Sequence, residues 1–214
     1  MSGNMPTPER ATETRGFQIR SLEPRDLERV VQIHCLRFPG QRSTRLGKPF
    51  LKRMYEWFHA HHPQFCFVAE MDHEVVGFIV GAVGGYGRRV FRFAFPQVVW
   101  GLIRCPTLLW NRSSFFLWHS YLRGLLPGGG SPAGNGSPNA ACLSFASLAV
   151  TDSAGSSGLY LIREMEKAAK QNGIRRMSHS VRLDNPKVIR LYQLLGWSID
   201  GKCSDSVHFS KPVV

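Results

Sequence analysis

The stretch that most constrains this 214-residue chain runs from Ser144 to Trp197. It opens as Ser-Phe-Ala-Ser-Leu-Ala-Val150, small and apolar with a β-branched end, which reads as a buried strand. A small, glycine-bearing turn from Asp152 to Gly158 follows and opens directly into a helix. Leu159, Leu161, Ile162, Met165, Ala168 and Ala169 recur at helical spacings, and Gly173 stands where a helix-ending glycine is favoured. A strand, a tight turn and a helix N-terminus in that order aim backbone N–H groups and a positive helix end at one spot, a ready site for phosphate.

The second half of the stretch carries a longer pattern. Ile174 to Val181 reads as a strand, and Asn185-x6-Tyr192-x3-Gly196-Trp197 follows. Val188, Leu191, Tyr192 and Leu195 share one helical face, and Asn185 sits at the helix start, where its side chain can cap. Taken singly, Tyr192 reads as a core aromatic and Asn185 as an N-cap. Together these motifs resemble the acetyl-CoA-binding half of the GCN5-related N-acetyltransferase superfamily. There a strand ending in Leu-Ala-Val leads into an Arg/Gln-x-x-Gly-x-Gly loop, and a later helix carries Asn-x6-Tyr-x-x-x-Gly-Phe. In this chain Trp197 stands for the Phe, while Ser153, Ser156 and Gly158 fall on the loop's signature positions, so only the last glycine is retained.

The resemblance implies an α/β (α+β) fold: a mixed, mostly antiparallel twisted sheet of six to seven strands with splayed central strands near Leu148 and Met177, flanked by helices. It also implies direct transfer of an acetyl group from acetyl-CoA to an amine, with no covalent enzyme intermediate. Backbone groups of Leu148, Ala149 and Val150 would pair with the pantetheine arm and polarise the thioester carbonyl. The N–H groups of Gly155, Ser156, Ser157, Gly158, Leu159 and Tyr160 would hold the diphosphate, and Asn185 would hydrogen-bond the arm. Tyr192 would protonate the departing thiolate, a phenol of pKa near 10 serving a thiol near 8.5. Phe38, Arg45 and Tyr55 are candidates for acceptor contact, and each also reads as ordinary packing. Glu70 and His34 are the candidate general bases. Cys142 reads either as a nucleophile or as a small buried thiol. The competing reading is a catalytically silent acetyltransferase-like module that binds CoA or a membrane surface.

Charge and cysteine usage bound the partners. The net charge of +12 calls for an anionic partner, which the phosphates of CoA would satisfy in part. No basic run of five or more and no alternation of Lys/Arg with stacking aromatics points to nucleic acid. Five scattered cysteines without a CxxC pair suggest a reducing compartment, the cytoplasm, and no metal cage. Residues 1–15 read as a disordered tail without signal-peptide character, and no apolar run reaches the roughly 18 residues a membrane span needs.

Residues 16–214 read as one domain. Phe17 to Leu22 alternates as a first strand. A helix follows with Leu27, Val30, Val31, Ile33 and His34 on one face, and a second carries Phe50, Leu51, Met54, Tyr55 and Phe58. Phe65–Glu70 and Val75–Val83 form a hairpin across Met71–Glu74, and Gly77 and Gly81 mark close backbone approach or a bulge. Trp197–Asp200 and Cys203–Ser210 read as a closing hairpin. Residues 86–138 are an insertion: aromatic, basic helices broken by Pro96 and Pro106, then a Gly/Ser/Pro-rich loop over 128–138. No Asp or Glu occurs between Val75 and Thr151, while arginines stand at 88, 89, 92, 104, 112 and 123. Residues 86–126 are therefore a candidate surface for an anionic membrane, a lid over an anionic small-molecule acceptor such as an amino sugar carrier, a homodimer contact, or a plain cap on the sheet.

Overall fold

The computed structural model describes residues 13–14, 17–107, 142–152 and 156–213. Their strands form one sheet in the order β1 (Glu13–Thr14), β2 (Phe17–Ser21), β3 (Cys66–Met71), β4 (Glu74–Val83), β5 (Cys142–Val150), β6 (Arg176–Arg182), β8 (Ser206–Pro212), β7 (Ser198–Lys202). Every neighbouring pair is antiparallel except β5 and β6. Seven of these strands match the expected sheet. The two-residue β1 adds to it, so Glu13 and Thr14, assigned to the tail by sequence, pair with Gln18 and Phe17.

Helices α1 (Leu27–Arg37), α2 (Arg42–Arg45), α3 (Lys48–His61), α4 (Gly87–Phe93) and α5 (Phe95–Arg104) precede β5, and α6 (Ser157–Gln171) and α7 (Pro186–Leu194) follow it. Two apolar cores result, one on each face of the sheet. The first packs Val30, Val31, Leu51, Tyr55 and Phe58 of α1 and α3 against Val68, Phe78 and Val80. The second packs Leu161, Ile162 and Met165 of α6 and Tyr192 of α7 against Ile79, Leu143, Phe145 and Phe209. The helical faces expected from sequence are the buried ones, because residues spaced three and four apart share one side of a helix.

Local chemistry sets the register. Asp72 and His73 both have positive φ, 50° and 64°, so β3 and β4 are joined by a tight turn whose twist matches the strands. At Gly77 a Cβ would stand 2.8 Å from Val150 Cγ1 and 3.2 Å from the Ala149 carbonyl, so β4 and β5 approach as closely as they do only without a side chain there. The register slips between Val80 and Gly81, which face Ser147 and Phe145, leaving Ala146 as an extra residue in β5.

The described part of the insertion is α4 and α5. As expected, the stretch is broken into short helices at Pro96, which lies in the first turn of α5, where its missing N–H has no consequence. Residues 108–141, including the expected 128–138 loop, Arg112 and Arg123, lie outside the described residues. Gly101 seats α5 on the α2–α3 link, because a Cβ at that point would come within 2.5 Å of the Leu46 carbonyl oxygen. Gly101→Ala is therefore expected to lower the stability of the chain by about 1–3 kcal/mol in urea unfolding, with an unchanged denaturant slope.

Candidate functional site

The site is built on a pairing that stops. Strands β5 and β6 run parallel through Cys142↔Arg176, Leu143↔Met177 and Ser144↔Ser178, and no further. β5 continues to Val150, paired only with β4 on its other side. β6 continues to Arg182, paired only with β8. The central strands thus part after Ser144 and Ser178, leaving a wedge whose β5 wall holds Leu148, Ala149 and Val150. Met177, expected at the parting, is still in the paired part. The bulge at Ala146 falls inside the same stretch.

At the open end of the wedge β5 gives way to the turn into α6. Ser153, Ala154 and Gly155 of that turn, and with them the expected role of Gly155, lie outside the described residues. Ser156 is exposed at the helix start, Ser157 and Gly158 are buried, and Leu159 and Tyr160 are half-buried. Tyr160 also packs edge-on against Phe17, 5.2 Å between ring centres. Asp152 brings a carboxylate to this turn, and Arg37 at the end of α1 meets it at 2.5 Å. Sequence reasoning did not single out this pair, which joins residues 115 positions apart. Asn185 caps α7, its Oδ1 accepting from the Val188 N–H at 3.3 Å.

Tyr192 is fully buried behind β6. Its ring stacks on His179, in the parted stretch of β6, and on Phe209, while Trp197 meets it edge-on. The hydroxyl is out of contact with solvent and has no hydrogen-bond partner among the described residues. Burial raises its pKa well above the usual tyrosine range, so it remains a neutral donor at physiological pH. His179 is half-buried as a residue, but its Nδ1 is enclosed and without a partner among the described residues. Burial pushes its pKa down to about 4, against a smaller opposing effect of the Phe145 backbone.

A second polar line crosses the core on the opposite face. Ser147, on β5 beside the bulge, hydrogen-bonds the Tyr55 hydroxyl. That hydroxyl lies 2.6 Å from His34 Nδ1, and His34 Nε2 lies 3.1 Å from Ser43 Oγ on α2. Burial lowers the His34 pKa to about 4 and raises that of Tyr55 beyond its ordinary range. Of the three acceptor candidates, Tyr55 is enclosed in the α1/α3 core. Phe38 packs edge-on against His34 and is half-buried. Arg45 is exposed and donates to Thr107 Oγ1 at 2.9 Å, tying α2 to the end of α5. Glu70 stands two strands away from β5 and is held by Arg20 at 2.6 Å, so its carboxylate is already engaged. Cys142 is a buried thiol 3.6 Å from Ser178 Oγ. Among the described residues no group of three or more His, Cys, Asp or Glu side chains could hold a metal ion.

No known family pattern and no curated protein matches this sequence. Solved structures do. Ard1 from Thermoplasma volcanium aligns over 94% of this chain and 99% of its own, with a TM-score of 0.59 and 17% identity. A GNAT superfamily phosphinothricin acetyltransferase from Sinorhizobium meliloti, solved in complex with acetyl-CoA, aligns over 93% and 89% with a TM-score of 0.58 and 13% identity. yncA, a putative acetyltransferase from Salmonella typhimurium with its cofactor acetyl-CoA, aligns over 94% and 95% with a TM-score of 0.56 and 13% identity. The chain has the GCN5-related N-acetyltransferase fold.

His34 and His179 are held neutral, and this sets an acid limit on the fold. Both have folded pKa values near 4, below the unfolded value near 6.5, so the unfolded chain binds more protons below pH 6.5. Stability is complete above that pH and falls as the pH drops toward 4. The expected loss by pH 5 is about 2 kcal/mol per histidine, read as the difference in urea midpoints between pH 7 and pH 5. His179→Asn should remove its share of the slope.

Proposed function

We propose that the chain is an N-acetyltransferase that moves an acetyl group from acetyl-CoA to the amine of a small molecule by direct transfer. The observation that carries this reading is the wedge between β5 and β6 with the unpartnered Tyr192 hydroxyl behind its β6 wall. A buried donor without an acceptor is costly, by roughly 1–3 kcal/mol, and is relieved by a ligand atom that accepts from it. The residues present fit the cofactor. Backbone groups of Leu148 and Val150 are turned to the side β6 has left and are available in direction to a pantetheine arm, while those of Ala149, opposite Phe78, are turned to β4. The first N–H groups of α6, from Ser156 to Tyr160 with Gly155 ahead of them, suit its diphosphate. Asn185 stands at the same open end. When bound, acetyl-CoA supplies the activated acyl group. Tyr192 gives a hydrogen bond, and finally its proton, to the thiolate that develops; its raised pKa keeps the proton in place until then. Phe38 and Arg45 stand on the acceptor side. The basic insertion suits an acceptor bearing phosphate, such as an amino sugar on a carrier, and the free thiols Cys35, Cys66, Cys105, Cys142 and Cys203 suit the cytoplasm.

CoA and acetyl-CoA are expected to stabilise both the wild type and Tyr192→Phe, by about 2.7 kcal/mol at one hundred times Kd. Release of CoA thiol with a panel of amines should fall 10²–10⁴-fold in the variant, the range for loss of a general acid. No thermal shift in the wild type removes the cofactor from the reading. A shift without turnover for any amine establishes the silent module, which the altered Ser153 and Ser156 positions and the acid at Asp152 favour.

One further surface supports membrane contact. Helix α5 leaves Phe95, Val99, Trp100 and Ile103 exposed, in a segment without a single carboxylate. Among the described residues no helix is long and apolar enough to cross a membrane, so contact would be peripheral. The protein should sediment with anionic vesicles, and Trp100→Ser with Ile103→Ser should leave it in the supernatant. If the same pair of substitutions instead splits a dimer seen by gel filtration, the face is a homodimer contact.

A further inference from the structure

Three side chains outside the proposed transfer machinery form a line across β6, β8 and the turn between β7 and β8. Ser180 on β6 lies two residues past the last β5–β6 pair and stands opposite His208 of β8. Its Oγ is 2.7 Å from His208 Nδ1. On the far side of the ring, His208 Nε2 is 3.2 Å from Cys203 Sγ. Cys203 opens the turn between β7 and β8, its N–H donating to the Ser206 carbonyl at 2.8 Å, and is exposed. Because β8 is antiparallel to β6, this turn lies at the end where β5 and β6 have parted. The Leu183 N–H, donating to the Asp205 carbonyl at 2.9 Å, fastens the turn to the segment leading into Asn185.

The order of groups is what nucleophilic thiols require: a thiol within hydrogen-bond reach of an imidazole whose second nitrogen is fixed by a third side chain. With Nδ1–H donating to Ser180 Oγ, Nε2 is left as the acceptor that faces Cys203. The other cysteines are placed differently. Cys66 is buried with its S–H donating to the His62 carbonyl, and Cys142 is buried against Ser178. Cys35 is half-buried, and Cys105 contacts Thr107 and Arg45.

We propose that Ser180, His208 and Cys203 form a thiol-nucleophile site in which Cys203 accepts an acyl group from an acyl thioester. The Sγ proton passes to His208 Nε2 as Sγ bonds to the carbonyl carbon. The carbon–sulfur bond to the leaving thiolate then breaks, and that thiolate takes the proton back from Nε2. One thioester is exchanged for another, so no oxidant or reductant is needed. The products are S-acyl-Cys203 and a free thiol. The choice of an acyl thioester as the electrophile rests on the proposed function, whereas the nucleophile does not.

The test uses the full chain at neutral pH with S-acetyl-N-acetylcysteamine, a small acyl thioester that does not need the CoA site. Peptide mass spectrometry should find one acetyl group on Cys203, released by neutral hydroxylamine, and iodoacetamide should alkylate Cys203 faster than N-acetylcysteine. His208→Gln should slow both reactions about tenfold or more. Ser180→Ala, which removes a positioning residue, should shift the pH profile of alkylation while the thermal midpoint holds. If His208→Gln does not fold, the wild-type comparison with N-acetylcysteine and the loss of the acetyl mark in Cys203→Ser decide the matter. Equal alkylation rates for Cys203 and N-acetylcysteine, or acetyl found at other residues in place of Cys203, would overturn the proposal. A marked Cys203 in a protein that shows no thermal shift with acetyl-CoA would sink the cofactor reading and leave this one standing.

Discussion

The parallel ladder between β5 and β6 ends after Ser144 and Ser178, and much of the architecture follows from keeping it ended. A sheet left open in the middle would close by further pairing unless each strand were held from outside. β5 is held by seven registered pairs to β4, β6 by seven to β8. Beneath the gap, Phe145, His179, Tyr192 and Trp197 pack their rings edge to face and face to face, filling on one side the space that a closed sheet would occupy. The wedge is thus supported by aromatic volume below and by long ladders on both flanks.

Buried polar groups on the two faces of β5 are treated differently. On the α1/α3 face every member of the Ser147–Tyr55–His34–Ser43 line has a partner, a satisfied network of the kind that fixes a unique arrangement. On the α6/α7 face the Tyr192 hydroxyl, His179 Nδ1 and Trp197 Nε1 have none among the described residues, and neither do His59 Nδ1 of α3 and Gln97 Oε1 of α5 on the other face. Satisfied groups stabilise, whereas unsatisfied ones mark where a ligand is to complete the structure. Tyr192 and His179 are distinguished among the unsatisfied groups by their place, stacked on each other at the parted stretch of β6.

Much of this was legible in the sequence, and the rest was not for identifiable reasons. The faces of α1, α3, α6 and α7 follow from spacing, which is a local property. The closing hairpin and the splayed strands came from the order of motifs and their resemblance to a family, not from periodicity. Arg37–Asp152 and Ser180–His208–Cys203 could not be read, because they join residues far apart or on neighbouring strands whose register no local pattern fixes. Asn185 was read both as a cap and as a ligand contact, and the cap is what the structure displays. Pro96 separates α4 from α5 as its chemistry predicts, by standing in the first turn of the second helix. Tyr55 reads from sequence both as packing and as an acceptor contact, because an aromatic on an amphipathic helix looks the same whether it packs on a sheet or lines a site, and the structure buries it.

The extra residue in β5 acts as a phase shift. Before it, the odd-numbered Leu143 and Phe145 point into the α6/α7 core; after it, the even-numbered Leu148 and Val150 do. Ala146 and Ser147 both serve the opposite layer, Ala146 against the α1/α3 core and Ser147 by its bond to Tyr55. Had strict alternation continued, Leu148 and Val150 would face α1 and α3, and Ala149 would be left beneath α6. One surplus alanine thus lets a single strand obey two incompatible parities, so that the length of β5, counted residue by residue, becomes part of the information that tells the two layers apart.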